Sequence, residues 1–144
     1  MDMIRSEKQH QAAKKQLASL REALARKTQT KVPDVLVRAA QGQTAELAEE
    51  IERQIKDYEQ LQKTRAKELR ISSLHDLRVA PIRYRIAAHM TIESFARLVH
   101  VHSRQIARYE SEDYQNVSWD TLLKILERLD VKIEGKMELG HKAA

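Results

Sequence analysis

Apolar side chains recur every three or four positions along most of the chain, which is the spacing of one face of an α-helix. The first such pattern predicts a helix over residues 6–27 with Ser6 as its N-cap. The pattern is broken before Pro33, because the residue preceding a proline is biased away from helix. A short helix capped by Asp34 is then expected to end at Gly42.

A longer helix is predicted from Thr44, as its N-cap, to about Leu69. Its apolar stripe consists of Leu47, Ile51, Ile55, Tyr58 and Leu61. Two helices with one narrow stripe each do not make a deep core. We therefore expect this hairpin, residues 1–70, to pack against a second copy of the chain, a different protein or the C-terminal domain.

Residues 71–76 are interpreted as a linker, and residues 77–144 as a second domain built from short helices. The pattern predicts helices over 77–89, 91–99, 103–109 and 118–129. Thr91 and Ser118 are suitable N-caps, and Pro81 is expected in the first turn of the first of these helices.

The periodicity changes to two at the end of this domain. Charged residues alternate there with the apolar residues Val131, Ile133, Met137 and Leu139. This predicts a half-exposed β-strand, which needs another strand to pair with. Pairing with the same strand of a second copy would remove the exposed edge and form a homodimer. The hairpin is the alternative dimer or partner surface, through Leu47, Ile51, Ile55 and Tyr58.

Composition and charge exclude several classes of protein and indicate the kind of partner. The chain has 144 residues with only 3 Gly and 2 Pro, which argues against an all-β fold, and it has no cysteine for disulfides or thiolate chemistry. There is no secretory or membrane-spanning stretch, so a cytoplasmic location is expected. The formal net charge is +5, and residues 63–108 hold 10 Lys and Arg against 3 Asp and Glu. Such a local excess favours an anionic partner such as DNA.

Residues 91–110 have the layout of a helix-turn-helix unit. A capped helix is followed by a tight turn and a second helix, and the small side chain of Ala96 allows the two helices to cross closely. The residues expected to point inward are Phe95, Val99, Val101, Ile106 and Tyr109. Trp119, in the next helix, is expected to join this core.

This stretch resembles the XRE, or lambda-repressor-like, helix-turn-helix family of bacterial DNA-binding proteins. The resemblance covers about residues 77–133 and rests on Thr91, Ala96, Val101, Ile106, Glu110, Asn116, Ser118 and the run from Leu122 to Val131. It implies a four- to five-helix domain. Together with the N-terminal hairpin and the short C-terminal strand, which the hydrophobic pattern predicts, the expected fold is mainly α. The chain departs from the family at His100, where a glycine with positive φ is usual, and at His102, where Ser or Thr usually caps the second helix. The acidic loop 111–117 also departs from it.

The resemblance also implies roles for individual residues. The second helix would lie in the major groove of DNA and read bases through Ser103, Arg104, Gln105 and Arg108. Arg108 has an alternative as an ion-pair partner of Glu110 or Glu112. Phosphate contacts are expected from Thr91, Ile92, Arg97, His102, Asn116, Arg83 and Arg85.

These observations favour a sequence-specific transcriptional regulator, a repressor that binds an inverted repeat as a homodimer and is associated with the nucleoid. Proteins of similar layout are often antitoxins, so a toxin is a possible partner of the hairpin. The alternative is a protein-interaction module that acts through helix 44–69, with a vestigial or non-specific DNA binder attached. No catalytic motif or metal-ligand set stands out, since His89, His100 and His102 lack a further ligand. We therefore expect neither enzymatic activity nor a cofactor nor a metal.

Overall fold

The computed structural model describes residues 3–26, 34–63 and 68–140. Within these ranges the chain is mainly α-helical, as expected, and contains seven helices and no strand. The helices are α1 (Glu7–Ala25), α2 (Asp34–Lys63), α3 (Leu74–Arg78), α4 (Ala80–Ala87), α5 (Ile92–Val99), α6 (Ser103–Ser111) and α7 (Trp119–Arg128).

The chain separates into two compact units. One consists of Met1–Ser72 with Ile82–Met90, and the other of Ser73–Pro81 with Thr91–Ala144. Helix α4 therefore contributes its first two residues to one unit and the rest to the other. The division into a hairpin at 1–70, a linker at 71–76 and a second domain at 77–144 stays a prediction.

In the first unit, α1 and α2 form the predicted hairpin. Ser6 caps α1, because its Oγ accepts a hydrogen bond from the backbone N–H of Gln9 at 3.2 Å. The predicted stripe of α2 forms the core of the hairpin rather than a free surface. Four of its five members, Ile51, Ile55, Tyr58 and Leu61, are buried together with Ala48 and with Leu17 of α1, whereas Leu47 is exposed.

Helix α2 corrects the prediction of two helices separated at Gly42. It runs without interruption through this glycine, and the Thr44 hydroxyl donates a hydrogen bond to the Ala40 carbonyl at 2.9 Å instead of capping a new helix. A glycine costs a helix interior only about 1 kcal/mol relative to alanine, which the thirty-residue helix tolerates. The predicted break before Pro33, and residues 64–67 near the expected end of this helix, lie outside the described residues.

A buried histidine joins the two helices of the hairpin. The His10 ring lies 3.0 Å (Nε2) from Glu59 Oε1 and 3.4 Å (Nδ1) from the Glu7 carboxylate, and its centroid is 4.9 Å from that of Tyr58. The hydrogen bond with His10 lowers the pKa of Glu59, and the charge of Lys14 lowers it further. The pKa of Glu7 is also lowered, first by the hydrogen bond from Gln11.

Acid is therefore expected to weaken the hairpin. A carboxyl whose folded pKa lies below the unfolded value of 4.5 contributes stability above that pH, and the contribution is lost as pH falls through the folded pKa. Glu59→Gln removes part of this dependence, whereas Glu49→Gln, on the exposed face of α2, leaves it unchanged. Urea midpoints from circular dichroism between pH 7 and pH 3 measure the difference, and identical pH profiles of the two variants would contradict the prediction.

In the second unit, α6 and α7 both pack against α5. The predicted caps Thr91 and Ser118 are confirmed, with each hydroxyl 3.1 Å from the backbone nitrogen three residues later. The single helix predicted over 77–89 is wrong, because α3 ends at Arg78 and α4 begins at Ala80. Pro81 explains the interruption: it has no N–H to donate and its ring clashes with a preceding helical carbonyl. As predicted, it lies in the first turn of α4.

Two further expectations are corrected at the end of the chain. Residues 131–139 are exposed and form no strand, because a strand needs a neighbouring strand for its hydrogen bonds and the described part of the chain contains none. Trp119 is 58% exposed rather than part of the core. It is the first residue of α7, and the buried face of that helix begins one turn later at Leu122.

Candidate nucleic-acid interface

The turn between α5 and α6 contains only three residues, 100–102. His100 ends α5 in the left-handed conformation, with φ 56° and ψ 41°, as the sequence predicted for this position. The next residue, Val101, donates its N–H to the Ala96 carbonyl at 3.0 Å, which completes a Schellman-type end of the helix. The chain therefore reverses direction immediately after α5.

His102 begins the second helix of the unit. Its Nδ1 accepts a hydrogen bond from the backbone N–H of Arg104 at 3.2 Å. The imidazole is therefore the N-cap of α6, a role that Ser or Thr usually has in the family that the sequence resembles. This bond requires Nδ1 to be unprotonated. The start of α6 is thus fixed by the side chain that precedes it.

A packed core holds α5 and α6 in place. Its fully buried members include Phe95, Val99, Ile106 and Ile125, and Ala96 at the crossing is buried as well. Sequence reasoning missed Arg128 of α7, whose guanidinium donates hydrogen bonds to the carbonyls of Val99 and His100. A cation at the carboxyl end of α5 also opposes the helix dipole. The sequence offered only a basic residue in the last turn of α7 as a sign of this role.

Glycine at position 100 is expected to stabilise the protein. The left-handed conformation costs a non-glycine residue about 1–2 kcal/mol, and the greater freedom of glycine in the unfolded chain offsets about 0.4–1 kcal/mol of the gain. His100→Gly should therefore raise the free energy of unfolding by about 0.5–1 kcal/mol, and His100→Val should lower it, since β-branched residues rarely adopt positive φ. Urea denaturation of both variants tests this, and a glycine variant less stable than the parent would refute it.

The outward face of α6 carries the predicted base-reading residues. Arg104, Gln105 and Arg108 are exposed, and Ser103 is half-buried at the start of the helix. Among the described residues, the side chains of Arg104 and Gln105 make no hydrogen bond or ion pair. The Arg108 guanidinium lies 5.7 Å from the ring centroid of Tyr109, and the structure shows it in no ion pair with Glu110 or Glu112. Ser103, Arg104 and Gln105 therefore lie in the first turn of α6, and Arg108 lies in its last turn.

Four of the predicted phosphate contacts belong to α5, to its N-cap or to the turn that follows it. Thr91 and Ile92 are at the amino end of α5, Arg97 is exposed on the same helix, and His102 lies in the turn. A hollow of about 440 Å³ separates α5 from the start of α6 and is lined by Glu93, Ala96, Arg97, His100, Val101, His102 and Ser103. Its walls contain one arginine and two histidines, which can donate hydrogen bonds to an anion, and one carboxylate, that of Glu93.

The other three predicted phosphate contacts are engaged elsewhere. Asn116 is exposed and donates a hydrogen bond to Glu112 at 2.7 Å. Arg83 and Arg85 belong to the first unit, where Arg83 donates to the Arg70 carbonyl. Arg85 is buried and donates to the carbonyls of Met90 and Arg5, which corrects its assignment as a surface group available to a phosphate.

The predicted dimer contacts fall into two groups. Ile51, Ile55 and Tyr58 are buried within the chain, which leaves only Leu47 exposed in that set. The C-terminal set is exposed throughout: Val131, Ile133, Met137 and Leu139.

Comparison with known protein families decides what this arrangement is. Residues 82–136 match the family described as helix-turn-helix, and these residues include most of α4 and all of α5, α6 and α7. The segment is an XRE-type helix-turn-helix domain. No curated protein and no solved structure matches the chain.

The XRE-type domain makes the protein a DNA-binding regulator. In helix-turn-helix domains the second helix of the pair is the one that enters the major groove, and α6 occupies that position here. In the parts of the chain that the structure describes, no three His, Cys, Asp or Glu side chains are grouped so that they could hold a metal ion. No helix in those parts has both the length and the apolar character that a membrane crossing requires.

Proposed function

We propose that the protein is a sequence-specific transcriptional repressor that binds an inverted repeat as a homodimer. The observation that carries this proposal is the outward face of α6. It presents Arg104, Gln105 and Arg108 without intramolecular ion pairs, above a core that holds the helix rigidly. One domain of this type reads a half-site, and two related by two-fold symmetry read a palindrome.

Each side chain on this face has a chemical role in the proposal. Arg104 presents a planar fork of donors that matches O6 and N7 of guanine, and Gln105 pairs with N6 and N7 of adenine. Arg108 is one turn further along the same side and extends the contact in the groove. Ser103, which is half-buried, contacts whichever base edge or phosphate lies beside the first turn.

The amino end of α5 positions the domain on the DNA backbone. The cap uses the N–H of Ser94, while Ile92 directs its own N–H out of the first turn towards an anion. Arg97 and His102, on the wall of the adjacent hollow, add donors for the same strand. These contacts fix orientation and contribute affinity without reading sequence.

The test is fluorescence anisotropy with the duplex upstream of the protein's own gene. A scrambled duplex of equal length and composition is the control, and salt is raised from low to physiological concentration. We expect selective binding to persist at physiological salt. Equal and steeply salt-dependent binding to both duplexes would leave only phosphate attraction and would overturn the proposal.

A second proposal is that the hairpin binds a toxin, so that the protein is an antitoxin that represses its own operon. It is supported by an apolar surface in the first turn of α2, where Val35 and Leu36 are 77% and 59% exposed. A hollow of about 300 Å³ adjoins them, lined by Ala23, Leu24, Leu36, Val37, Ala40, Gln41 and Thr44. Such exposed apolar patches are typical of protein-binding surfaces.

This second proposal differs from an interaction module acting through the apolar stripe of the long helix, because that stripe is already buried against α1. Co-expression with the product of the neighbouring gene tests it. Stable co-purification and rescue of growth are expected, and Val35→Asp with Leu36→Asp is expected to abolish both. Co-purification that survives the double substitution would exclude this surface.

A further inference from the structure

The segment 131–139, near the end of the described chain, is exposed to solvent along its whole length. All nine residues are exposed, and the apolar ones alternate with charged ones. Lys132 Nζ lies 2.8 Å from Glu134 Oε1, so these residues two positions apart lie on the same side, as they do along an extended chain. The segment thus has one charged face and one apolar face, with Gly135 at its centre.

The charges are arranged antisymmetrically about Gly135. Each charged residue on one side of the glycine has a residue of opposite charge at the same distance on the other side. Counting outward, Glu134 corresponds to Lys136, and Lys132 corresponds to Glu138. The apolar residues correspond as well, Ile133 to Met137 and Val131 to Leu139.

We infer that residues 131–139 pair with the same segment of a second copy as an antiparallel two-stranded ribbon, with the two-fold axis at Gly135. Residues facing each other across such a pair are neighbours, and opposite charges there are favourable. In this register Lys132 faces the partner's Glu138, Glu134 faces the partner's Lys136, and both contacts occur twice. The inference rests on the proposed function, because it names the surface through which the proposed dimer forms.

The alternatives to this register are all worse. A shift of two positions in one direction places Lys132 opposite Lys136 of the second copy, and Glu134 opposite its own counterpart. A shift in the other direction pairs Glu134 with Glu138, and Lys136 with its own counterpart. Both arrangements are unfavourable because like charges face each other. A shift of one position places apolar residues opposite charged ones. A shift of four positions keeps only half of the four charge pairs, and a parallel in-register pair places every charge opposite itself. A parallel pair shifted by two positions keeps three opposite-charge contacts, but it is not two-fold symmetric and so does not form a closed dimer. The sequence therefore specifies both the direction and the register of the pairing.

Cross-linking tests the register directly, because the natural chain has no cysteine. A Cβ at Gly135 meets nothing within 4 Å, and no glycine in the described chain has a positive φ, so Gly135→Cys fits. Facing residues in an antiparallel pair have Cα atoms about 4.5–5.5 Å apart, within the range of a disulfide. Glu138→Cys is the matched control, since its two copies would lie about 20 Å apart at ~3.3 Å per residue.

Under mild oxidation we expect a disulfide-linked dimer from Gly135→Cys and none from Glu138→Cys or Lys132→Cys alone. A mixture of the last two variants should cross-link, because these positions face each other. Equal cross-linking of all variants, or none at position 135, overturns the inference. So does a wild-type chain that remains monomeric in sedimentation equilibrium, or a dimer in which only the hairpin can be cross-linked.

A charge exchange provides an independent test. Lys136→Glu places two glutamates opposite each other at two symmetric positions, and we expect it to weaken dimerisation about tenfold. Adding Glu134→Lys restores opposite charges in the same register and should restore the dimer. A double variant as weak as the single one would overturn the inference, since neither substitution alters a buried group.

The outcomes for the interface and for the proposed function are separable. Cross-linking at position 135 without selective binding to the upstream duplex supports the ribbon and refutes the repressor. Selective binding by a dimer that does not cross-link at position 135 refutes the ribbon and leaves the repressor intact. Arg104→Ala is expected to leave the cross-linking yield unchanged, because that residue lies on α6.

Discussion

Arg104→Ala should weaken binding to the operator by about 1–3 kcal/mol in each half-site and relax the sequence preference at one base pair. The expected cost is large because the side chain makes no hydrogen bond or ion pair among the described residues. In its proposed role it would lose a bidentate hydrogen bond to guanine. In a symmetric dimer the loss occurs twice. Anisotropy titrations against the operator and against duplexes with a single changed base pair measure both effects.

Two control substitutions separate base reading from charge. Arg97→Ala should weaken binding to all duplexes alike and reduce the slope of log K against log salt by about 1 for each subunit, or about 2 for the proposed dimer. Lys124→Ala, on the exposed side of α7, removes the same charge and should change neither quantity by a comparable amount. The base-reading role would be wrong if Arg104→Ala affected operator and scrambled duplex equally, with unchanged thermal stability.

Phe95→Ala should destabilise the XRE-type domain by about 3–5 kcal/mol. Phe95 is fully buried between the helices of the helix-turn-helix pair and the rest of the second unit's core, so its removal leaves a cavity. Small domains have total stabilities of about 5–15 kcal/mol, so this loss removes a large fraction of the total. Urea denaturation followed by circular dichroism measures it.

Leu98→Ala is the matched control for this prediction. Leu98 lies in the same helix but is 40% exposed, so its truncation leaves no closed cavity. We expect a change of about 0.5 kcal/mol or less, as for most surface substitutions. If both variants unfolded at the same urea concentration, Phe95 would not hold the position in the core that its burial indicates.

The features that the sequence predicted correctly depend on neighbours close in the chain. The caps Ser6, Thr91 and Ser118 act on nitrogens three residues away, and the left-handed turn at His100 is set by the helix that it ends. The outward face of α6 was also predictable, because the buried Ile106 and Tyr109 fix which side of the helix faces the core. Whether that face reads bases remains a prediction.

The predictions that failed depend on distant groups or on total helix stability. Arg85 was assigned to the surface, but it bonds to the carbonyl of Arg5, eighty positions earlier, which no local pattern reveals. Gly42 was treated as a helix end, although the tertiary contact of α2 with α1 outweighs a penalty of about 1 kcal/mol. The strand at 131–139 was predicted from a pattern that one copy of the chain cannot satisfy alone.

The position of helix α4 in the same compact unit as the hairpin limits how the N-terminal part of this regulator can be exchanged in evolution. The family match begins at Ile82, yet residues 82–90 belong to the same compact unit as the hairpin, and the guanidinium of Arg85 is buried there against the Arg5 carbonyl. A recombination event that replaced the hairpin at the start of the family match would leave this buried cation short of an acceptor. Viable exchanges of N-terminal modules between such regulators are therefore expected to have breakpoints after Met90, with α4 inherited together with the hairpin.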